Sequence, residues 1–234
     1  MLLSAALLPV PACAQSITAK STEQKAIIPI RVSNVAHSTK QNQAFVRYAG
    51  LPGTVVKYGR QRIVFDNARL VGSGSWRQNE ATFDAALLTG TWIPMTTVNY
   101  AFLTDVNTVT FTDLRLHGHL LNVAYAPASW LSLTAYGYLL DWAGDATSAP
   151  SAPGSLNPPQ REDSRSVGLR GAGNLKLGPG TLGYAGEYAR QSAYEDSAIG
   201  DSHYLLAELG YGSPAIGLKL GYEVLSGDGT DSFQ

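Results

Sequence analysis

The chain has 234 residues, of which 15% are charged, and its formal net charge is −1. This balance excludes the basic field that nucleic-acid binding needs, and it provides no acidic tail. No run of 18 apolar residues occurs, which excludes a transmembrane helix but not membrane-spanning strands, since such strands are apolar on one face only.

The N-terminus predicts an export signal at residues 1–14. Met1–Val10 is apolar, and Ala12–Ala14 resembles a small-x-small cleavage site. A frayed hydrophobic N-terminus is the alternative. Cys13 is the only cysteine, so its removal with the signal would leave no disulfide in the mature chain. Residues 15–42 are mostly polar and predict a poorly ordered segment with at most one irregular strand.

Residues 43–234 predict about ten antiparallel strands, at 43–49, 53–65, 82–93, 96–105, 117–126, 130–142, 165–177, 181–192, 202–212 and 215–226. Tight and long connections alternate between them. The long ones are 66–81, 106–116, 143–164 and 193–201. Short turns at one end and long loops at the other are typical of outer-membrane barrels, whose turns lie in the periplasm.

The best strand pattern is Ser166–Leu177, where apolar and polar side chains alternate. Val167 and Leu169 lie on one face, whereas Arg170 and Lys176 lie on the other. A lipid-facing Arg or Lys at mid-bilayer costs about 2–4 kcal/mol. The charged face is therefore predicted to face a lumen and the apolar face to face lipid.

Aromatic residues mark the strand ends. Tyr48, Trp92, Tyr125, Trp130 and Tyr211 lie within a residue or two of tight turns, as expected for rings at the headgroup level of a membrane. Core aromatics of a soluble β protein are the alternative. The pattern predicts an all-β fold, an antiparallel transmembrane β-barrel of the outer-membrane type, incomplete in this chain.

The polar faces of the strands carry the candidate pore-lining residues. They are Arg47, Lys57, Asp84, Arg170, Lys176, Glu187, Glu208, Lys219 and Glu223. Rings of charged groups select solutes in a wide aqueous pore, but these charges can equally pair across the lumen and stiffen the wall. Arg60 and Arg62 share the parity of Tyr58. Either a bulge at Gly59 turns them inward or they lie above the hydrocarbon layer.

No catalytic, metal or cofactor site is predicted. His117 and His119 share one strand face, but no third ligand accompanies them, so a solvated pair is the preferred interpretation. His119 has the outward parity that an outer-membrane lipase would need. No serine can be paired with it from sequence, and the chain is therefore predicted not to be an enzyme.

Residues 57–84 resemble the alginate-export family of outer-membrane porins. Gly59-Arg60-Gln61, Arg69–Gly72, Trp76–Asn79 and Thr82–Asp84 carry the resemblance. It implies a barrel of about eighteen strands with an arginine-lined lumen that passes an anionic polysaccharide or related solutes. Additional candidates for anion contact follow from it, namely Arg60, Arg62, Arg69 and Arg77. These arginines can equally hold the 66–81 loop through Asp66, Glu80 and Asp84.

The sequence therefore predicts an outer-membrane channel of a Gram-negative bacterium, exported through the periplasm, for hydrophilic solutes that include anionic saccharides. Its partners would be outer-membrane lipid and the solute, and its oligomeric state is left open. Because the family has more strands than the ten found here, the chain is expected to hold part of a barrel; a closed ten-stranded barrel is the alternative. An adhesin or anchor acting through its long loops and a secreted soluble β-sandwich are the competing functions.

Overall fold

The computed structural model describes residues 30–35, 38–74, 80–109, 113–142, 163–195, 197 and 199–227, with side chains from residue 42 onward. In these residues the regular structure consists of strands. They are β1 (Ile30–Val35), β2 (Ser38–Leu51), β3 (Thr54–Gln61), β4 (Thr82–Gly90), β5 (Thr96–Asn107), β6 (Asp113–Ala128), β7 (Leu131–Asp141), β8 (Ser164–Leu177), β9 (Gly180–Ala193), β10 (Ser202–Gly212) and β11 (Gly217–Leu225). Over the same ranges, no helix is long and apolar enough to cross a membrane.

The eleven strands form one antiparallel sheet in which each strand pairs with its neighbours in sequence. The tight turns meet the sequence expectation. Gly53 and Gly178 have positive φ (63° and 59°) in the turns before β3 and β9, a conformation that glycine adopts without a Cβ clash. From β2 onward, the tight turns lie at one end of the sheet and the long connections at the other.

One face of the sheet is apolar and exposed. Leu169, Leu218, Leu220 and Tyr222 are each more than half exposed, although an apolar surface of this extent is normally buried. No second sheet covers this face within the described residues. The soluble β-sandwich alternative is therefore wrong, because a sandwich buries its apolar faces against each other.

The opposite face is concave. Residues 62–74, which follow β3, cross this face and reach the far side of the sheet, where Arg69 Nε lies 2.8 Å from Glu223 Oε1 of β11. The sheet must curl for β3 and β11, which lie towards opposite edges, to be bridged in this way. Ile63, Leu103, Leu120 and Tyr204 are almost fully buried on this concave side.

Two of the differences from the sequence-based strand boundaries affect the arrangement of the sheet. β1 and the beginning of β2 lie in the 15–42 segment that was expected to be poorly ordered, because β1 pairs with an extended β2, Ile30 opposite Ala44. The strand expected at 53–65 ends at Gln61, where the chain leaves the sheet. The predicted signal at 1–14 lies outside the described residues.

Candidate functional site

The residues that follow β3 fold into the concave side of the sheet, and we call residues 62–74 the inward segment. Ile63, Phe65 and Val71 are no more than 8% exposed. The Phe65 ring stacks on Tyr138 of β7 with 6.3 Å between centroids. Removing these apolar side chains from water supplies the driving force that holds the segment inside the curled sheet.

A tight turn closes the inward segment on itself. The Phe65 amide donates to the Val71 carbonyl at 3.0 Å, and the Ala68 amide donates to the Phe65 carbonyl at 2.9 Å. Asp66 and Ala68 both have positive φ, 50° and 60°. Aspartate tolerates this region, whereas alanine is strained there. Such strain persists only where the surroundings enforce it, which they do here through the contacts of the neighbouring side chains.

Polar side chains fasten the turn to the wall. Asn122 Nδ2 of β6 donates to Asp66 Oδ2 at 2.7 Å. Asn67 Nδ2 approaches Glu187 Oε2 of β9 at 3.5 Å. Arg69 pairs with Glu223, and its guanidinium lies 5.7 Å from the centre of the Tyr204 ring. The inward segment thus contacts strands on both sides of the concave face.

Glu187 is the centre of the polar contacts. Its side chain is 2% exposed. It accepts hydrogen bonds from Tyr136 Oη and Arg170 Nη1, each at 2.7 Å. A buried carboxylate needs such partners, since an unpaired charge in this position would be very costly. Glu187 therefore joins β7, β8 and β9 to the inward segment.

The Asp66 carboxyl is shifted toward its protonated form. Burial raises its pKa, while hydrogen bonds from Asn122 and Thr134 partly oppose the rise. The charge of Glu187 adds to the rise, and that of Arg170 opposes it. Because Asp66 lies on the inward segment and not on a strand, its protonation affects how firmly the segment is held.

The concave face carries most of the predicted pore-lining residues. They are Arg47, Lys57, Arg170, Lys176, Glu187, Glu208, Lys219 and Glu223. Arg170 pairs with Glu187, and Lys219 Nζ lies 2.7 Å from Glu208 Oε1. Arg47, Lys57 and Lys176 form no ion pair with any residue that the structure describes. All three lie in the tight-turn halves of their strands.

Arg60 and Asp84 do not face the concave side. They lie opposite each other in the β3–β4 ladder, and Arg60 Nε and Nη2 donate to the two Asp84 carboxylate oxygens at 2.9 and 2.7 Å. Gly59 has a φ of 118°, but the ladder continues past it without a shift. Arg60 therefore stays on the exposed face of Tyr58, and the bulge that would have turned it inward is absent from this ladder.

A second arginine from the resemblance, Arg62, lies at the rim of the sheet and not in the lumen. Arg62 is exposed, and its Nη1 lies 3.6 Å from Glu80 Oε2. Glu80 also accepts from Asn42 and Gln43 at 3.0 and 3.1 Å, so this pair fastens the rim of the sheet. Arg77 lies outside the described residues.

The sequence analysis did not identify the apolar anchors of the inward segment. Ile63, Phe65, Leu70 and Val71 lie in a stretch that begins in a predicted strand and continues into a predicted external loop. Four large apolar residues in and beside a loop were the available signal, because exposed loops are normally polar. Asn122 and Tyr136 are also buried on the concave side, at 3% and 4% exposure.

Two histidines of β6 each lie beside one polar side chain of a neighbouring strand. His117 lies 3.8 Å from Asp141, and His119 Nδ1 lies 2.7 Å from Tyr100 Oη. No group of three or more His, Cys, Asp or Glu side chains suitable for a metal occurs among the described residues.

Comparison with known families decides the identity of the fold. Residues 14–233 match the model of a family described as alginate export. The chain belongs to the alginate export family. Comparison with curated proteins gave no match. The family and its fold are those of outer-membrane channels and not of enzymes, so the exposed apolar face is the face that meets membrane lipid.

Solved structures of outer-membrane porins share the fold. Pseudomonas aeruginosa OccK7 (OpdD) has 16% sequence identity and a TM-score of 0.60, over 87% of this chain and 55% of that one. OccK5 (OpdH) of the same organism has 16% identity and a TM-score of 0.59, over 85% and 52% of the two chains. The chain thus spans about half the length of these porins and matches part of a barrel.

Proposed function

We propose that the chain forms part of the wall and the constriction of an outer-membrane channel for hydrophilic solutes, with a preference for anions. The inward segment carries this proposal. It narrows the concave side, which is polar where Arg47, Lys57 and Lys176 line it, while the opposite face is apolar. An aqueous path bounded by charged side chains selects solutes by charge.

The anion preference rests on how the inner charges are balanced. Among the described residues, cations outnumber carboxylates on this face. The cations are Arg47, Lys57, Arg69, Arg170, Lys176 and Lys219; the carboxylates are Asp66, Glu187, Glu208 and Glu223. The carboxylates of β9, β10 and β11 each hold a cation in an ion pair. The cations that remain free for a solute lie toward the tight turns.

Arg47 and Lys57 are the strongest candidates for anion contact. They lie directly opposite each other on β2 and β3, where Cβ atoms are about 4.5–5.5 Å apart. Lys57 Nζ lies 5.3 Å from the centre of the Phe45 ring, its aromatic neighbour on β2. Like charges placed directly opposite are destabilising. A carboxylate that bridges the two cations would relieve this repulsion, so a passing uronate would be attracted to them.

Ion selectivity in planar bilayers tests the proposal. The reversal potential of the protein in a salt gradient should indicate anion preference, and Arg47→Gln with Lys57→Gln should shift it toward cations. Arg60→Gln is the control, since it removes a cation of β3, as Lys57→Gln does, but on the lipid-facing side. An unchanged reversal potential in the double variant would contradict the role of Arg47 and Lys57. Uronate oligomers should reduce the current more than neutral oligosaccharides of equal length.

A non-channel barrel is the second candidate. The packing of Ile63, Phe65 and Val71 against the inner wall is the observation that favours it, because an apolar plug restricts the passage of water and ions. In that case the protein would serve as an adhesin or anchor. The absence of conductance steps from correctly folded protein, judged by its heat-dependent electrophoretic mobility, would decide for this function.

A further inference from the structure

The charges on the lipid-facing side of the sheet are distributed unevenly. Every described charged or histidine side chain on this face lies in the half of its strand next to the long loops. These residues are Arg60, Asp84, Asp105, Asp113, Arg115, His117, His119, Asp141, Arg165, Arg190 and His203. The tight-turn half of the same face carries apolar and aromatic side chains, Tyr125, Leu133 and Leu177 among them.

This asymmetry fits a membrane whose two headgroup layers differ in charge. Aromatic rings without charges suit the interface at the tight-turn end. Charged side chains beyond the apolar band must instead lie among headgroups, because Arg or Lys at the bilayer midplane costs about 2–4 kcal/mol. The long-loop end therefore meets the more highly charged headgroup layer.

Most of these charges are already neutralised within the protein. Arg60 is held by Asp84, with Asp113 at 3.7 Å, and Arg190 Nη2 lies 2.5 Å from Asp201 Oδ2. Such pairs need no external partner.

Arg115 and Arg165 differ from the paired arginines. Both are exposed. Among the described residues, the guanidinium of Arg165 hydrogen-bonds only to the neutral Ser192 hydroxyl, with Nε and Nη2 at 3.3 and 3.2 Å. Arg115 lies opposite Asp105 in the β5–β6 ladder but forms no ion pair with a residue that the structure describes. Each guanidinium thus presents unused donors to the headgroup layer.

The surroundings of the two arginines are rich in hydrogen-bond donors. His117 and His119 follow Arg115 on the same face of β6, and the cross-strand row His119, Leu139, Arg165, Ser192 runs over β6 to β9. Tyr100 Oη reaches His119. The described carboxylates that border this patch are Asp105, Asp113 and Asp141. Asp113 lies 3.7 Å from Arg60, and Asp141 lies 3.8 Å from His117. Arginine forks and hydroxyl donors match the geometry of phosphate oxygens.

We propose that Arg115 and Arg165 bind phosphate groups of lipid headgroups in the outer leaflet. Four residues along β6 and two strand spacings separate them, about 16 Å between Cα atoms, so each arginine holds its own phosphate. The occupant is a phosphorylated lipid and not a free anion, because both side chains lie at the edge of the apolar band where acyl chains begin. This proposal depends on the outer-membrane location and not on channel activity.

Native mass spectrometry of the full-length protein in detergent tests the proposal with three probes. They are a bisphosphorylated glucosamine disaccharide lipid, its dephosphorylated form and inorganic phosphate. The bisphosphorylated lipid should bind more tightly than the dephosphorylated one. Each basic residue near an anionic surface contributes about 1 kcal/mol, so Arg115→Gln and Arg165→Gln should each weaken binding about fivefold.

Three variants make the result decisive. Lys176→Gln, which removes a cation from the concave face, should leave lipid binding unchanged. Arg115→Lys with Arg165→Lys keeps the charge and should retain most of the affinity. If Arg115→Gln fails to fold, Arg165→Gln alone must show the fivefold loss.

Three results would overturn the proposal. They are equal affinity for the dephosphorylated lipid, unchanged affinity in the glutamine variants, or inorganic phosphate that displaces the lipid at equal concentration.

Discussion

Asn122 donates a 2.7 Å hydrogen bond to Asp66 and so ties the turn of the inward segment to the middle of β6. The segment is otherwise held by the packing of Phe65 on Tyr138, by the buried Ile63 and Val71 side chains and by the Asn67–Glu187 contact. This pair is the clearest point at which a single side chain controls the width of the concave side. Several expected outcomes depend on it and on the Glu187 cluster.

Asn122→Ala should loosen the inward segment. The half-buried Asp66 carboxylate would lose its closest hydrogen-bond donor. This loss would destabilise the docked state of the segment by about 1–3 kcal/mol. Single-channel recordings should show a larger or more variable conductance. Asn99→Ala is the matched control, since Asn99 of β5 accepts from Thr89 at 2.8 Å on the same face, away from the segment. A conductance change of equal size in both variants would contradict the tether.

Conductance should fall as the pH is lowered from 7 to 4. Burial raises the pKa of Asp66 in the docked segment above the ordinary value near 3.8. Because the docked segment binds this proton more tightly, protonation stabilises the docked state. This stabilisation is fully present below the ordinary pKa and is lost as pH rises through the raised pKa. A more firmly docked segment narrows the channel, so the conductance falls at low pH.

Asp66→Asn should remove the part of the pH dependence that Asp66 contributes. The amide stays neutral over this range and remains able to accept from Asn122. Recordings of the variant and the wild type at the same pH values give the comparison. An identical pH profile in the two proteins would show that Asp66 does not control the segment.

Glu187→Gln should lower the unfolding temperature more than any other single replacement of a concave carboxylate. It leaves Arg170, a largely buried cation, without its counter-charge, which costs about 3 kcal/mol. Glu208→Gln is the control, because its partner Lys219 is 69% exposed and such pairs contribute less than about 1 kcal/mol. The temperature at which each variant loses its heat-modifiable electrophoretic mobility gives its unfolding temperature. Equal shifts would contradict the central role assigned to Glu187.

Gly59→Ala should destabilise the β2–β3 hairpin. The φ of Gly59 is 118°, and an added Cβ would lie 2.5 Å from the Ala44 carbonyl oxygen, a backbone atom that cannot move aside. A residue other than glycine in such a strained backbone conformation lowers the free energy of unfolding by about 1–3 kcal/mol. Gly137→Ala is the control, because a Cβ there meets nothing within 4 Å. A similar unfolding temperature for both variants would contradict this assignment.

The sequence predicted the parity of the strands well where long alternating stretches met tight turns. Arg170 and Lys176 lie on the polar face and Leu169 on the apolar face, because a two-residue period and a strong penalty for lipid-facing charge leave one register. The same reasoning does not determine Arg60. By alternation, Arg60 lies on the same face of β3 as Tyr58. The resemblance to arginine-lined porins favoured a position in the lumen, which the β3–β4 ladder does not support.

The inward segment could not be derived from alternation. The two-residue alternation ends with the strand, at Gln61. The path of Ile63, Phe65 and Val71 beyond it depends on contacts with β7 and β10, which are distant in sequence. The partner of Glu187 was likewise open, since Arg170, Lys219 and Lys176 were equally eligible by parity. The register of β8 against β9 selects Arg170 as the partner, because it places Arg170 directly opposite Glu187.

The central claim is that one face of the sheet meets lipid while the other meets water, and spin labels at two neighbouring positions test it most directly. In a Cys13→Ala background, Leu169→Cys and Ala172→Cys place a label on the lipid-facing and concave sides of β8. In membranes, the label at 169 should relax with oxygen and be protected from a water-soluble nickel chelate, and the label at 172 should show the reverse. Nickel-accessible labels at both positions, or oxygen-accessible labels at both, would contradict the account.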